Sequence, residues 1–139
     1  MKYPDPRNEA TEAFRITRRK EWSIPALKSF FRIAELWALT NDEQMTLLGV
    51  TSPSTFYKWK KGERPSLQKD TLERISYILG IYKALQILLP NPRAADSWIR
   101  KPNSAPLFNG RSALERMLSG NVSDLFLVRK YLDGQRGVW

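Results

Sequence analysis

The stretch of the chain that decides the fold is Thr40–Gly62, which reads TNDEQMTLLGVTSPSTFYKWKKG. Two acidic residues follow a threonine and an asparagine at its start, an order typical of a capped helix, which we predict over Asp42–Leu48. Gly49 then breaks the helix. Ser52 before a proline repeats the start signal and predicts another helix over Pro53–Lys61, which the terminal glycine stops. Two short helices joined by a glycine-containing turn predict a helix-turn-helix unit.

The second of these helices is the candidate DNA-reading helix, because in a helix-turn-helix that helix lies in the major groove. Phe56 and Trp59 lie three residues apart, so both should face inward and pack against Leu36, Leu47 and Leu48. The polar residues of the helix are then left facing base edges or phosphates. The alternative is that the two helices are simply part of a bundle. On the first interpretation we predict DNA contacts by Ser52, Ser54, Thr55, Tyr57, Lys58, Lys60 and Lys61.

The whole chain is basic, with 23 lysines and arginines against 14 acidic residues, a formal net charge of +9 and a pI near 10.0. This excess is expected of a protein that binds a polyanion, and nucleic acid is the first such partner to consider. The charge alone also fits an RNA-binding or membrane-surface protein, but neither explains the capped reading helix. No apolar run approaches the ~18 residues of a membrane-spanning helix, and residues 1–21 lack the apolar stretch of a signal peptide. We therefore expect no membrane partner and a cytoplasmic location.

Catalysis and metal binding are restricted because the chain contains neither cysteine nor histidine. It therefore has no thiolate or imidazole to act as nucleophile, general base or ordinary zinc ligand. Its acidic residues are scattered singly along predicted helices, and the sequence has no glycine-rich phosphate loop. We predict no catalytic residues, no metal site and no cofactor, and do not expect an enzyme.

Helical patterns flank the helix-turn-helix on both sides, so the predicted fold is all-α. Residues 1–22, with the basic cluster Arg18–Lys20, predict a loosely ordered N-terminal arm whose contact with DNA stays open. Residues 23–65 are predicted to form the helix-turn-helix domain, with its first core helix starting at Pro25. Residues 66–139 are predicted to form a second helical domain. Its helices are expected over Leu67–Leu89, Pro92–Trp98, Ser112–Ser119 and Asn121–Asp133, with a loop at Lys101–Gly110.

Five motifs in these segments resemble a known family. Gln44–Ser52 and Phe56–Trp59 resemble the Xre-type helix-turn-helix, which by itself is a broad class. Three later motifs are similar in sequence and spacing to the Xre/MbcA/ParS antitoxins, and the resemblance covers residues 23–139. These motifs are Leu79–Leu85 (LGIYKAL), Trp98–Asn103 (WIRKPN) and Phe108–Leu114 (FNGRSAL).

The resemblance implies a type II antitoxin whose N-terminal half represses its own operon by binding operator DNA. We also expect a homodimer, which would read a palindromic operator. It implies that the C-terminal half binds a RES-domain toxin, an NAD-consuming enzyme, and that the tail from Tyr131 obstructs the toxin's active site. Trp139 follows two glycines and Arg136 and has no obvious core to enter, which fits a partner contact. The alternative is a stand-alone repressor whose second half dimerises or senses a ligand. The predicted toxin contacts are Arg100, Arg111, Arg129, Lys130, Tyr131, Gln135, Arg136 and Trp139.

Overall fold

The computed structural model describes the backbone of residues 6–137 and the side chains of residues 21–137. Within that part of the chain there are seven α-helices and no strand, which confirms the predicted all-α fold. One turn of 3-10 helix, Trp98–Arg100, follows the fifth helix directly. The helices are α1 (Pro6–Leu36), α2 (Asn41–Leu48), α3 (Pro53–Lys60), α4 (Lys69–Leu88), α5 (Pro92–Ser97), α6 (Ala113–Met117) and α7 (Val122–Gln135).

Helix α1 is longer than predicted, because its backbone is helical from Pro6 and Pro25 lies inside it. This corrects the loosely ordered arm expected over residues 1–22, of which only the first five residues lie outside the described chain. A proline inside a helix removes one main-chain hydrogen bond but need not end the helix when tertiary contacts hold both sides. One such contact precedes the proline: the buried hydroxyl of Ser23 accepts a hydrogen bond from the main-chain nitrogen of Leu67 at 2.9 Å.

The helix-turn-helix forms close to the predicted bounds, and its local signals are those read from the sequence. A capping box starts α2: the hydroxyl of Thr40 accepts from the main-chain nitrogen of Glu43 at 3.1 Å, and the carboxylate of Glu43 accepts from that of Thr40 at 2.8 Å. The helix ends at Gly49, whose φ of 71° is a left-handed conformation that favours glycine. The turn to α3 is therefore set by this one residue.

Helix α4 connects the two halves of the chain, because it packs against both α1 and α7. Its buried face belongs to a continuous apolar core that extends across the predicted domain boundary between residues 65 and 66. A shared core of this kind holds the two halves together as one packed body. Its largest contributors include Phe30 of α1, Trp37 directly after α1, Leu47 of α2, Phe56 of α3, Ile75, Ile78 and Ile81 of α4, and Leu125 and Val128 of α7.

Candidate functional surfaces

The N-terminal end of α3 presents three of the hydroxyl residues predicted to contact DNA. Ser52 is the N-cap, and its hydroxyl accepts a hydrogen bond from the main-chain nitrogen of Thr55 at 3.3 Å. Thr55 itself is half-buried, whereas Ser54 is exposed. Ser52 therefore holds the end of the helix, and Ser54 is the hydroxyl of this group best placed to meet a base edge.

The outer face of α3 is tied to the start of α2 by Asn41, a residue that the sequence reasoning considered only as a helix cap. The ammonium of Lys60 donates to the Asn41 side-chain oxygen at 2.7 Å, and the Asn41 amide nitrogen donates to the Tyr57 hydroxyl at 3.3 Å. Lys60 also lies 5.5 Å from the centre of the Phe56 ring. The signal that could have found Asn41 is local: because Thr40 and Glu43 complete the capping box, the asparagine between them is left for another contact.

The remaining lysines of α3, Lys58 and Lys61, are exposed at its C-terminal end. Positive charge at this end of the helix stabilises the helix dipole, which is a structural role. The positive charge also continues onto the neighbouring surface. A groove of about 340 Å³ lies between this end of α3 and α1. Its charged lining residues are Lys28, Arg32, Lys60 and Arg64 with Glu35 and Glu63. Cations exceed acids along it, as expected of a surface that follows a phosphate backbone.

Arg100, predicted as a toxin contact, is directed at the helix-turn-helix half of the molecule. Its Nη2 donates to the main-chain oxygens of Trp37 and Ala38 at 3.0 and 2.9 Å, and its Nε donates to that of Trp37 at 3.2 Å. The same Nη2 lies 3.6 Å from the carboxylate of Glu43. The Arg100 side chain makes these contacts on one side and reaches solvent on the other, since 42% of it is exposed.

Two other predicted toxin contacts, Arg129 and Arg136, share one acidic partner. The Arg129 Nε and the Arg136 Nη1 lie 3.6 and 3.7 Å from the two oxygens of Asp133, at the C-terminal end of α7, which Arg136 caps. Ion pairs of this length at a partly exposed site are weak, so a partner carboxylate can displace them at little cost. Arg129 and Arg136 are therefore compatible both with a structural role and with a binding role.

Tyr131 is half-buried and takes part in a cluster of three aromatic rings. It stacks on Trp98 with ring centres 6.4 Å apart and meets Phe108 edge-on at 5.2 Å. Trp98 and Phe108 complete the triangle at 5.9 Å. The cluster joins the last helix to the segment around the 3-10 turn and leaves Trp98 half-buried.

The other predicted toxin contacts divide between exposed residues and one outside the described chain. Arg111, Lys130 and Gln135 are exposed. Trp139 lies beyond residue 137, so the geometry of the predicted tail contact is not described. The structure gives described partners to the other four, Arg100, Arg129, Tyr131 and Arg136.

Phe126 is a candidate contact outside the set predicted from the sequence, because helical spacing alone does not show which face of α7 is covered. The side chain is 45% exposed, and its ring meets Tyr77 of α4 edge-on at 5.8 Å. The Tyr77 hydroxyl donates to the Glu73 carboxylate at 2.9 Å, and this hydrogen bond raises the tyrosine pKa. Large exposed aromatic side chains are the residue type that most often anchors a protein interface.

The turn between α6 and α7 is held by Asp124. Its carboxylate accepts from the Ser119 hydroxyl at 2.5 Å and from the Arg116 Nε at 2.8 Å. These contacts, the serine hydrogen bond first, lower the pKa of Asp124 even though partial burial acts in the opposite direction. The network is structural, since Arg116 also donates to the main-chain oxygen of Leu107 and so joins the turn to the preceding loop.

Neither a metal site nor a membrane span is found in the described residues. No group of three or more acidic side chains there is arranged to hold a metal ion. None of the helices within residues 6–137 combines the length and the apolar character needed to cross a bilayer.

Comparison with known proteins matches both halves of the chain. Residues 25–80 match the antitoxin Xre-like helix-turn-helix domain, and residues 84–137 match the antitoxin Xre/MbcA/ParS C-terminal toxin-binding domain. The uncharacterized protein y4oB of Sinorhizobium fredii (strain NBRC 101917 / NGR234) is 53% identical over 115 residues, which span 82% of this chain and 87% of that protein. The two matches divide the chain within α4, whereas the predicted boundary lies before that helix.

Proposed function

We propose that this chain, which belongs to the Xre/MbcA/ParS family of antitoxins, neutralises a RES-domain toxin. We further propose that it represses the operon that encodes both proteins. The observation that carries the proposal is the presence of two matched domains in one chain, one for DNA and one for a toxin. A stand-alone repressor would have no need of the second.

The DNA half of the proposal rests on the surface of α3. Ser54, Tyr57, Lys58 and Lys61 are exposed on a helix whose buried Phe56 anchors it to the core. Hydroxyl and lysine side chains on such a helix suit a mixture of base-edge and phosphate contacts. The net charge of +9 adds a favourable, salt-dependent attraction to the duplex. A homodimer would present two such helices to a palindromic operator.

The toxin half rests on the exposed residues that follow α4. Phe126 and Lys130 lie one turn apart on α7 and are both exposed, so an aromatic anchor stands beside a cation. Arg111 and Gln135 supply further exposed polar groups. The chain has no cysteine or histidine for nucleophilic or acid–base chemistry, which suits a protein whose partner is the enzyme. We propose that this partner consumes NAD and that the tail from Tyr131 obstructs its active site.

The test is to co-express the full chain with the protein encoded beside it and to measure NAD consumption by that protein with and without the antitoxin. Stoichiometric inhibition is expected. A neighbouring protein that neither binds the chain nor consumes NAD would overturn the RES assignment. Specific retardation of the upstream DNA by the same chain tests repression separately.

The tail is tested by a truncation that the fold makes safe. Removal of residues from Tyr131 onward would also delete Leu132, which is only 2% exposed, and would break the aromatic cluster. Removal of Val138 and Trp139 alone leaves both intact. That truncation is expected to abolish neutralisation and to keep operator binding, with Trp139→Ala as the single-residue match. Full neutralisation by both variants would contradict a role for the tail.

A further inference from the structure

Arg100 belongs to the toxin-binding half of the chain but is bonded to the corner that begins the helix-turn-helix. Three hydrogen bonds of 2.9 to 3.2 Å connect its guanidinium to the main-chain oxygens of Trp37 and Ala38. Trp37 and Ala38 directly follow α1, where main-chain acceptors have no partner within the helix. A planar guanidinium with several donors suits adjacent carbonyls better than an ammonium does.

The corner that Arg100 holds is strained. Ala38 has a φ of 53°, in the left-handed region that side chains other than glycine rarely adopt. Such a conformation persists where surrounding contacts over-determine it. The hydrogen bond from Arg100 Nη2 to the oxygen of this residue, at 2.9 Å, is one such contact. The direction in which the chain leaves α1 is therefore held both by local main-chain hydrogen bonds, from Ala38 to Glu35 and from Leu39 to Ala34, and by a side chain from the other half of the molecule.

The same side chain also reaches the capping box of α2. Arg100 Nη2 lies 3.6 Å from Oε1 of Glu43, the oxygen that accepts from the main-chain nitrogen of Thr40. Only 20% of the Glu43 side chain is exposed, so this ion pair is screened less than one on the open surface. Arg100 thus donates hydrogen bonds to the corner and adds a weaker ion pair to the first turn of α2.

From the first turn of α2 the contacts continue directly to the DNA-reading helix. Asn41, the first residue of α2, accepts from Lys60 at 2.7 Å and donates to the Tyr57 hydroxyl at 3.3 Å. If the start of α2 were displaced, Asn41 would move with it and would disturb its contacts with Lys60 and Tyr57 on the outer face of α3. At the other end of α2, Arg74 of α4 packs against Gly49 and donates to the main-chain oxygen of Gly120 at 3.0 Å.

We propose that Arg100 is a positioning residue for operator binding, by which the toxin-binding half holds α2 and, through Asn41, the reading helix α3 in register. The inference rests on the proposed DNA binding by α3 and assigns Arg100 a role that it plays without touching DNA. A site whose supporting contacts are loosened loses specific binding first, because base contacts need closer placement than phosphate contacts do.

The experiment compares Arg100→Gln and Arg100→Lys with Arg93→Gln in the full chain. Arg93 is an exposed arginine at the start of α5 and serves as the charge-matched control. Affinity is measured for the DNA upstream of the gene and for a scrambled duplex of equal length, over a range of salt concentrations. Both Arg100 variants are expected to lose about tenfold in affinity for the upstream DNA relative to Arg93→Gln. The scrambled duplex and the salt slopes are expected to be alike in Arg100→Gln and Arg93→Gln, which carry the same charge.

The lysine variant separates positioning from charge, because it keeps the charge but cannot hold two carbonyls in one plane. Rescue by Arg100→Lys would overturn the proposal, and so would an Arg100→Gln affinity within twofold of the control. Hydrogen exchange provides a readout that does not depend on DNA: amides of residues 37–43 and 53–61 are expected to exchange faster in the Arg100 variants, with α7 unchanged. Equal exchange in all variants would contradict the proposal. If the wild-type chain does not distinguish the two duplexes, the DNA half of the proposed function fails, and the exchange result still decides the role of Arg100.

Discussion

The guanidinium of Arg129 in α7 occupies the space that a side chain at Gly80 of α4 would need. A β-carbon built on that glycine would lie 2.5 Å from the Arg129 Nε and 2.8 Å from its Cδ. Gly80 therefore does more than weaken a helix: it lets the last helix lay a long cationic side chain across α4.

This contact predicts that Gly80→Ala changes the free energy of unfolding differently in the wild-type protein and in an Arg129→Ala protein. In an Arg129→Ala protein, Gly80→Ala should raise the free energy of unfolding by about 1 kcal/mol, since alanine is the better helix former. In the wild-type background much of that gain should be lost, because the guanidinium must move away from its place beside Asp133. Urea unfolding of the four proteins of this double-mutant cycle measures the difference. Equal gains in both backgrounds would show that the two residues are not coupled.

The lysines of α3 predict distinct salt dependences for DNA binding. Lys58→Ala and Lys61→Ala should each weaken binding to every duplex and reduce the slope of log K against log salt by about 1, as expected on loss of one phosphate contact. Lys101→Ala removes the same charge from an exposed position in the toxin-binding half and is the control. Binding titrations at several salt concentrations give the slopes. Unchanged slopes in the two α3 variants would refute phosphate contact by these lysines.

The buried hydroxyl of Ser23 is expected to contribute to the free energy of unfolding through a single hydrogen bond. Ser23→Ala leaves the main-chain nitrogen of Leu67 without the acceptor that lies 2.9 Å away, in a buried position. An unpaired buried donor costs roughly 1 to 3 kcal/mol of unfolding free energy. Chemical denaturation of this variant beside Ser29→Ala, an exposed serine on the same helix, measures the cost. A similar small change in both variants would mean that the hydrogen bond contributes little.

Asp124 predicts a loss of stability at acid pH. Its folded-state pKa lies below the ordinary value of 3.8, so the folded protein binds a proton less readily than the unfolded chain. The stabilisation is therefore complete well above pH 3.8 and is lost as the pH falls through the lower folded-state value. Asp124→Asn should cost about 1 to 2 kcal/mol at neutral pH, and the difference from wild type should shrink toward acid pH. Urea unfolding from pH 7 to pH 3 tests this, with Glu115→Gln, an exposed acid of α6, as control. A pH-independent difference between Asp124→Asn and wild type would contradict the assignment.

Much of the helix-turn-helix could be predicted because its signals act over a few residues. Thr40 and Glu43 form a capping box, Gly49 adopts the left-handed turn, and Ser52 caps α3 before Pro53. Each of these depends on main-chain hydrogen bonds or on φ within one turn of helix. Helix bounds therefore came within one residue there, whereas α1 began far from the expected Pro25.

The site residues also divide into those that local spacing predicts and those that only the packing of the helices places. The buried position of Phe56 followed from helical spacing, but the exposure of Phe126 did not, because the same spacing says which residues share a face and not which face is covered. The partner of Asn41 lies 19 residues away in the chain. The local capping box indicates that the Asn41 side chain is left for another contact, but it does not identify a partner at that distance.

By itself the sequence determined an all-α chain with a capped helix-turn-helix, a strong positive charge and no cysteine or histidine for catalysis. Only the tertiary structure decided that Arg100 holds the corner at Trp37 and Ala38, and that Arg129 lies across Gly80. The physical reason is that helix caps and turns are closed by neighbours in the chain. The partner of a long cationic side chain, in contrast, is chosen by the packing of helices that are far apart in sequence.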